Sequence, residues 1–440
     1  MKILFLLSSL SIISFSTIIP QTQTGPDSTL QTATLRECIN YALEHQPSIQ
    51  KSLLTEKIIN QEIKSKLADW FPQLNLNINF QHNYKLPTSI YQGREVQFGV
   101  VNTSSIQFSL NQTIFNRDVL LASSTAHDIR TQAEQTTANN KINLVVNVSK
   151  AYYGVLLAQQ QINLVNEDIT RLKQSYKDAY LQYKSGTVDK TDYERASIAL
   201  NNALAEKKHD EEMLKSYNAD LKNLMGYPAE NEITLRYDTT QMEKEILIDT
   251  LQSVDYENIT EYKILQTQIR LQKANLDYNY WSFVPSLTAF ANYNFVYQNN
   301  ELKNLYNQNY PNEFVGLQLS FPIFQGGKRI QEIDQASLEV KSSELDLIVL
   351  KNSINMEYTQ ALAAYKSNLS SYNAAKQNYN LAKDVYGTIE LQYKAGVKSY
   401  LDVITAETDL RTTEVNYLNS LYQLLSSKLD VEKALGTIKY

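Results

Sequence analysis

Tyrosine recurs at every seventh position from Tyr358 to Tyr393, along a stretch that contains no proline. A strict seven-residue apolar period makes α-helices supercoil left-handedly, so that the apolar seam keeps facing its partner. Several positions three residues after a rung hold a small side chain, such as Ala361 and Ala375. Rings that alternate with alanine let a second helix approach closely. The tyrosine ladder therefore predicts a long coiled-coil helix, and we interpret it as packing.

The ladder returns 210 positions earlier, from Val148 to Tyr183, with other apolar side chains at most of its rungs. The segment Gln182–Gly186 recurs at the same offset as Gln392–Gly396. Trp70–Leu74 resembles Phe283–Leu287 at an offset of 213. A period of this length is too long for a solenoid repeat. The chain therefore contains two copies of one large unit, with small insertions in loops.

From Leu74 to Tyr84 the period changes to two, because apolar residues and His82 alternate with asparagine and glutamine. This alternation indicates strands that have one apolar and one polar face. Four strands are predicted, at about 73–86, 104–115, 286–298 and 314–324. Polar loops at about 86–103 and 299–313 join them in pairs. Between the pairs the chain reads as helix, and residues 120–183 alone would span about 96 Å.

Strands with two such faces suit a membrane barrel that has lipid outside and water inside. Four strands cannot close a barrel, and an open edge in lipid would leave backbone groups unpaired. Two copies would enclose a lumen filled by side chains, whereas three could leave an aqueous bore. A water-soluble sandwich is the alternative, although sandwiches usually need more strands. Trp70, Phe71 and Trp281 fit either an aromatic belt at the membrane surface or packing at a bend.

The N-terminal part of the sequence predicts a leader segment followed by a helix. Residues 1–20 combine Lys2, an apolar run and a polar exit, which is typical of a signal peptide; a membrane anchor is the alternative. Thr34 followed by Glu37 predicts a helix start with a capping box. The helical pattern continues past Pro47 to about Ala68.

Composition argues against several classes of function. The net charge of −6 and the pI near 5.5 give no basic footprint for nucleic acid. Cys38 is the only cysteine, so an intramolecular disulfide is impossible. The four histidines are scattered, and no spacing suggests a metal site. We expect no enzyme and no cofactor.

Three motifs carry a family resemblance. The helix start Thr34–Leu43, the strand exit Ile323–Gly327 and the turn Gln392–Val403 resemble those of the TolC-type outer-membrane efflux proteins, over nearly the whole mature chain. The resemblance implies a mainly α-helical homotrimer with a β-barrel part. Its twelve strands would cross the outer membrane and continue into a twelve-helix barrel in the periplasm. The two repeats would be residues 21–228 and 255–440, with an equatorial segment at 229–254.

The resemblance also implies where function resides. The two repeats would turn at a periplasmic tip that contacts an adaptor protein, at Gly186, Thr187, Val188, Gly396 and Val397. Polar links that close the entrance carry over to Asp192, Tyr393 and Lys398. Asp402 matches one position of an acidic ring, whereas the second position is Thr405. A solvated helix end is the alternative explanation for each of these charges.

The expected function is therefore a gated outer-membrane exit duct of a tripartite efflux pump or type I secretion system. Energy would come from an inner-membrane pump, because the sequence has no GxxxxGK[ST] phosphate-binding loop. The sequence does not identify the cargo. A non-conducting periplasmic coiled coil with a structural or adhesive role is the competing hypothesis. A passive porin is disfavoured, because porins place all their strands in one chain without long helices.

Overall fold

The computed structural model describes residues 32–187, 189–236, 242–243 and 246–440. The predicted signal peptide at 1–20 and Val188 lie outside the described residues. The helices are α1 Leu35–His45, α2 Pro47–Leu67, α3 Arg117–Lys184, α4 Lys190–Met225, α5 Thr260–Tyr280, α6 Lys328–Lys394 and α7 Tyr400–Ala434. The strands are β1 Thr32–Ala33, β2 Gln73–His82, β3 Thr88–Tyr91, β4 Arg94–Gln97, β5 Asn102–Phe115, β6 Thr234–Leu235, β7 Ser286–Asn299 and β8 Asn312–Ser320.

The first helix begins as its sequence predicts. The Thr34 side chain accepts a hydrogen bond from the Glu37 backbone, and the Glu37 carboxylate accepts one from the Thr34 N–H at 2.8 Å. Helix continues to Leu67, close to the predicted end, but it is divided into two helices, because the chain leaves helical geometry at Gln46 and restarts at Pro47. Proline disfavours the α conformation at the residue before it and fits the first position of a new helix.

The four long strands form one antiparallel sheet in the order β2-β5-β7-β8. Its register aligns the apolar side chains of neighbouring strands, as in the row Leu76, Phe108 and Tyr293. Ile78 on that face is 69% exposed, and Leu317 is 68% exposed. The chain therefore presents a free apolar sheet face, and its two outer strands, β2 and β8, each have an unpaired edge.

The loop between β2 and β5 is more ordered than its composition predicts. β3 and β4 pair as a hairpin across Gln92 and Gly93, both of which have positive φ. Two such residues make the tight turn that matches the twist of paired strands. The predicted polar loop at 86–103 therefore contains a hairpin that was not predicted. In the second copy the corresponding loop contains a short 3₁₀ helix at Leu302–Asn307.

The helices form two antiparallel hairpins beneath the sheet. α3 packs against α4, α6 packs against α7, and α3 contacts α7 between the hairpins. Closer to the sheet the order of neighbours is α2, α3, α5 and α6. α3 has 68 residues and α6 has 67, so each is roughly 100 Å long. Within the described residues, none of the helices combines the length and apolar character needed to span a membrane.

The tyrosine ladder packs against a neighbouring helix and also hydrogen-bonds to the segment between the two repeats. Tyr358 and Tyr365 donate hydrogen bonds to the backbone carbonyls of Gln252 (2.6 Å) and Ile246 (2.9 Å). The next rung, Tyr372, donates to the Glu243 carboxylate at 2.8 Å. The upper rungs of α6 therefore fasten part of the segment between the repeats. The lower rungs pack against α7, as the stacked rings of Tyr379 and Tyr417 show (5.7 Å between centroids).

Candidate functional site at the helical tip

Both hairpins end in the same turn. Gly186 has a φ of 73° and Gly396 has a φ of 75°, a left-handed conformation that glycine adopts without steric cost. In each turn the N–H of the next residue, Thr187 or Val397, donates to the carbonyl five residues back, at 2.9 Å. This is the Schellman arrangement that ends a helix. The paired tip motifs thus have one geometry in both copies.

The tip surface combines polar and apolar groups. The Thr187 hydroxyl is 2.6 Å from the Ser185 hydroxyl and donates to the Gln182 carbonyl at 3.1 Å. Val397 is 73% exposed, and Leu391, six residues before it in α6, is 70% exposed. The tip therefore presents hydroxyl and apolar side chains to solvent.

Capping side chains fix the helices that leave the tip. Asp189 accepts from the Lys190 N–H at the start of α4. Ser399 and Asp402 form a capping box at the start of α7, with 2.7 Å between the Ser399 hydroxyl and the Asp402 carboxylate. These hydrogen bonds lower the pKa of Asp402 because they stabilise its ionised form. Lys398 lies 3.8 Å from the same carboxylate.

The predicted gate residues lie at the tip but are not bonded to one another. Tyr393 stacks obliquely on Tyr400, with 6.2 Å between ring centroids. Asp192 occupies the first turn of α4. The charge of Asp192 contributes to the raised pKa of Tyr400, whose main cause is burial. Within the one chain that the structure describes, no hydrogen bond joins Asp192, Tyr393 and Lys398.

A cluster of charged side chains, not predicted from the sequence, lies above the tip where the hairpins meet, and two of its carboxylates, Asp168 and Glu407, are buried. It comprises Asp168 and Arg171 of α3, Glu206 of α4, and Glu407 and Arg411 of α7. Arg171 bonds Glu407 at 3.0 Å and also pairs with Asp168. Arg411 forms an ion pair with Asp168 (3.1 Å) and another with Glu206. This charge cluster therefore ties α7 to both helices of the first hairpin.

Burial dominates the electrostatics of that cluster. Asp168 is 3% exposed and Glu407 is 7% exposed. Desolvation raises the pKa of both carboxyls, although the neighbouring arginines oppose the shift. A buried ion pair is costly to desolvate, and removal of one partner leaves an uncompensated charge. The two hairpins are thus joined by contacts that cannot be broken one at a time without penalty.

One sequence signal could have revealed one member of this cluster, Glu407. Glu407 and Glu414 fall on the core positions of an α7 heptad, in the row Val403, Glu407, Leu410, Glu414 and Tyr417. An acid at a core heptad position needs a buried partner. That partner, Arg171, lies 236 residues away in the chain, so it is found only once α3 and α7 are packed together.

The described residues do not suggest a cofactor or metal centre. No group of three or more histidine, cysteine, aspartate or glutamate side chains among them could hold a metal ion. Cys38 is buried, and desolvation raises the pKa of its thiol to about 12. A thiol with such a pKa is not a nucleophile near neutral pH.

Comparison with known proteins decides the family. The sequence model described as outer membrane efflux protein matches residues 38–227 and 260–437. The chain belongs to the outer membrane efflux protein family. The two matched segments correspond to the two copies of the repeated unit and include both helical hairpins.

Relatives of this efflux protein cover almost its whole length. The outer membrane protein TolC of Vibrio cholerae is 24% identical over 416 residues, which are 92% of this chain and 91% of the relative. The cation efflux system protein CusC of Escherichia coli O157:H7 is 22% identical, over 91% of this chain and 85% of the relative. The structure of the Campylobacter jejuni CmeC outer membrane channel aligns with a TM-score of 0.75 at 16% identity, over 92% of this chain and 85% of that one.

These findings confirm the expected family, function and location. The efflux protein is an exit duct of the outer membrane, serving efflux or secretion, with its helical part in the periplasm. Its relatives are channel proteins and not enzymes. The match favours a duct over the non-conducting coiled coil that the sequence left open.

Proposed function

We propose that three copies of this chain close into one duct, in which twelve strands form a barrel and twelve helices form a tunnel. The observation that carries the proposal is the pair of free edges on the single sheet of four strands. An edge in lipid would leave N–H and C=O groups unpaired, at several kcal/mol each. Pairing of β8 with β2 of the next copy satisfies both edges and closes a ring.

The helical layers have matching free edges. On one side α2 exposes Leu54 (56%) and Ile58 (56%). On the other side α6 exposes Leu338 (67%) and Leu345 (56%). Because the α2 edge lies below β2 and the α6 edge lies below β8, one head-to-tail contact would bury both apolar rows. Two copies would leave a barrel filled by side chains, so an open conduit favours three.

The polar sheet face then lines the bore, and the tip forms its periplasmic entrance. In this arrangement Asp192, Tyr393 and Lys398 form the polar links that hold the entrance closed, between helices of neighbouring copies. Asp402 contributes a carboxylate from each copy to a ring at the same level. Thr405 supplies no second charge, so the ring would bind cations more weakly than one with two acids per copy.

Opening requires partners at the tip. A periplasmic adaptor would contact the turns at Gly186, Thr187, Val188, Gly396 and Val397, and an inner-membrane pump would supply energy. Their engagement would draw α6 and α7 away from the neighbouring helices. Cargo then moves through an aqueous duct without chemical change. Small molecules, metal ions and proteins are all compatible with such a duct.

Planar-bilayer recording of the detergent-extracted oligomer tests this proposal. Wild type should conduct weakly, and the double variant Asp192→Ala with Lys398→Ala should conduct more. The matched control is Lys190→Ala with Glu194→Ala, which removes an exposed ion pair (2.7 Å) from the first turn of α4. A gate variant as closed as wild type would remove the gate assignment. Absence of conduction in every variant would overturn the duct itself.

A further inference from the structure

A polar cavity lies where the sheet meets the two longest helices. Its volume is about 330 Å³, and its lining includes Asn116, Arg117, Ser282, Lys328 and Arg329. α3 begins at Arg117 and α6 begins at Lys328, so both helices start at this cavity. The duplication explains the convergence, because Ile114-Phe115-Asn116 before α3 resembles Ile323-Phe324-Gln325 before α6, at an offset of 209.

The start of α6 carries charges of the unfavourable sign. The N-terminus of a helix is equivalent to about half a positive charge and favours acidic side chains. α6 instead begins with Lys328 and Arg329, has no acid in its first turn and receives no side-chain cap at Gly327. α3 begins with Arg117 but has Asp118 in its first turn and Asn116 as a capping side chain. Helix stability therefore does not account for the two basic residues that start α6, whereas an anion at the cavity would.

The acids nearby offset only part of the charge. Glu332 pairs with Lys328 at 3.6 Å, and Asp118 accepts a hydrogen bond from the Tyr278 hydroxyl at 2.6 Å. Arg329 is bonded to the neutral oxygens of Gln325 (3.0 Å) and Pro322. Lys328 and Glu332 cancel each other. The two arginines, the Asp118 carboxylate and the half-charge at each of the two helix ends then leave about two positive charges at the cavity.

Two buried polar atoms at the cavity wall have no partner. Nη1 of Arg117 and Oγ of Ser282 make no hydrogen bond within the described structure, although Ser282 is only 9% exposed. The Arg117 guanidinium stacks over Tyr278, with 4.3 Å from its carbon to the ring centre. Buried polar groups are nearly always bonded, and an exception points to a bound ion or water.

We propose that this cavity binds the phosphate group of a soluble anion. A dianion would balance the charge, and guanidinium N–H groups together with helix N-terminal N–H groups are its usual ligands. Ser286 and Ser320, which also line the cavity, pair directly and alternate with Leu287 and Leu319, so they lie on the polar face of the sheet. Given the proposed duct, this face is the lumen. The site would thus select anionic cargo where the tunnel enters the barrel.

The test is binding of inorganic phosphate to the full-length oligomer in detergent. Binding is measured as an increase in the oligomer's thermal unfolding midpoint at constant ionic strength. Wild type should be stabilised saturably by inorganic phosphate and not by matched chloride. Arg117→Gln should weaken binding about tenfold, which corresponds to one charge-assisted hydrogen bond. Ser282→Ala, which leaves every charge in place, should weaken it about threefold. Lys303→Gln, at an exposed ion pair in the β7–β8 loop, should change nothing.

Absence of saturable stabilisation in wild type overturns the site. So does a phosphate affinity of both Arg117→Gln and Ser282→Ala that equals the affinity of wild type. Phospholipid retained by wild type and lost from Arg117→Gln, without an effect of inorganic phosphate, would place the phosphate on a lipid and overturn the lumen assignment. Binding in detergent does not require conduction. A protein that conducts but binds no phosphate therefore refutes only this inference, and one that binds but never conducts refutes only the duct.

Discussion

Removal of Arg171 should loosen the junction between the two helical hairpins. Arg171→Met deletes the cation that pairs with both Glu407 and Asp168. Asp168 keeps Arg411 (3.1 Å), whereas Glu407, 7% exposed, loses its only paired cation within the described structure. Loss of one partner of a buried pair costs about 3–5 kcal/mol. Because the Arg171 side chain is 33% exposed, water reduces this to about 2–3 kcal/mol.

Thermal unfolding of the detergent-extracted oligomer, followed by circular dichroism at neutral pH, measures the effect. A cost of this size corresponds to a midpoint lower by roughly 3 °C for a chain of this length. The double variant Arg171→Met with Glu407→Leu should recover most of the loss, because a buried pair replaced by apolar side chains is often neutral. Lys208→Met, which breaks an exposed pair with Glu212 on α4, should leave the midpoint unchanged, because exposed ion pairs contribute little to stability.

The pH dependence of the stability loss in Arg171→Met provides an independent test of its electrostatic origin. Burial already raises the folded pKa of Glu407, and loss of Arg171 raises it further. A carboxyl with a raised folded pKa contributes stability below its unfolded pKa and loses it as pH rises through the folded value. The free energy of unfolding that Arg171→Met loses relative to wild type should therefore become smaller as the pH falls through the folded pKa of Glu407. A deficit that is constant with pH, or a double variant less stable than the single one, would refute the reasoning.

Three further predictions concern other regions. Glu243→Gln should cost about 1–2 kcal/mol, since Glu243 accepts bonds from Tyr372, Tyr417 and Lys376. These bonds lower its pKa to about 2, so the ionised form stabilises the fold. The free-energy difference from wild type, measured by urea unfolding, should therefore be complete above pH 4.5 and vanish towards pH 2. Asp402→Ala should weaken block of bilayer currents by divalent cations, and it should lower the thermal midpoint slightly through the lost capping box; unchanged block would make Asp402 a capping residue only. Leu338→Glu should lower the yield of oligomer on native gels, unlike an exposed Lys341→Glu control; equal yields would remove α6 from the interface.

The long-range role of the tyrosine ladder could not be predicted from its period. A heptad determines that one helix face packs, but the partner of each rung depends on the rest of the fold. Tyr358, Tyr365 and Tyr372 reach the segment between the repeats, and no local rule pairs residues more than a hundred positions apart. The lower rungs pack on α7, as a coiled-coil seam predicts.

Local signals were sufficient elsewhere. The capping box at Thr34 was predicted because both partners lie within one turn. The hairpin at Thr88–Gln97 was missed, although Gln92-Gly93 stands between two short segments of mixed polarity. At the tip, glycine predicted the turns, but the capping role of Asp402 was hidden behind its match to an acidic ring. The cluster around Arg171 required the packing of α3 on α7, which follows from tertiary structure alone.

Disulfide trapping between the sheet edges tests the central claim, that copies of this chain close head-to-tail into a duct, most directly. In a Cys38→Ser background, Leu76→Cys on β2 would be combined in turn with Val315→Cys or Leu317→Cys on β8, which share its apolar face. Oxidation of outer-membrane fractions should yield a covalent trimer as the largest product for at least one pair. Monomers alone for every pair, or a ladder that extends beyond three copies, would contradict the closed ring.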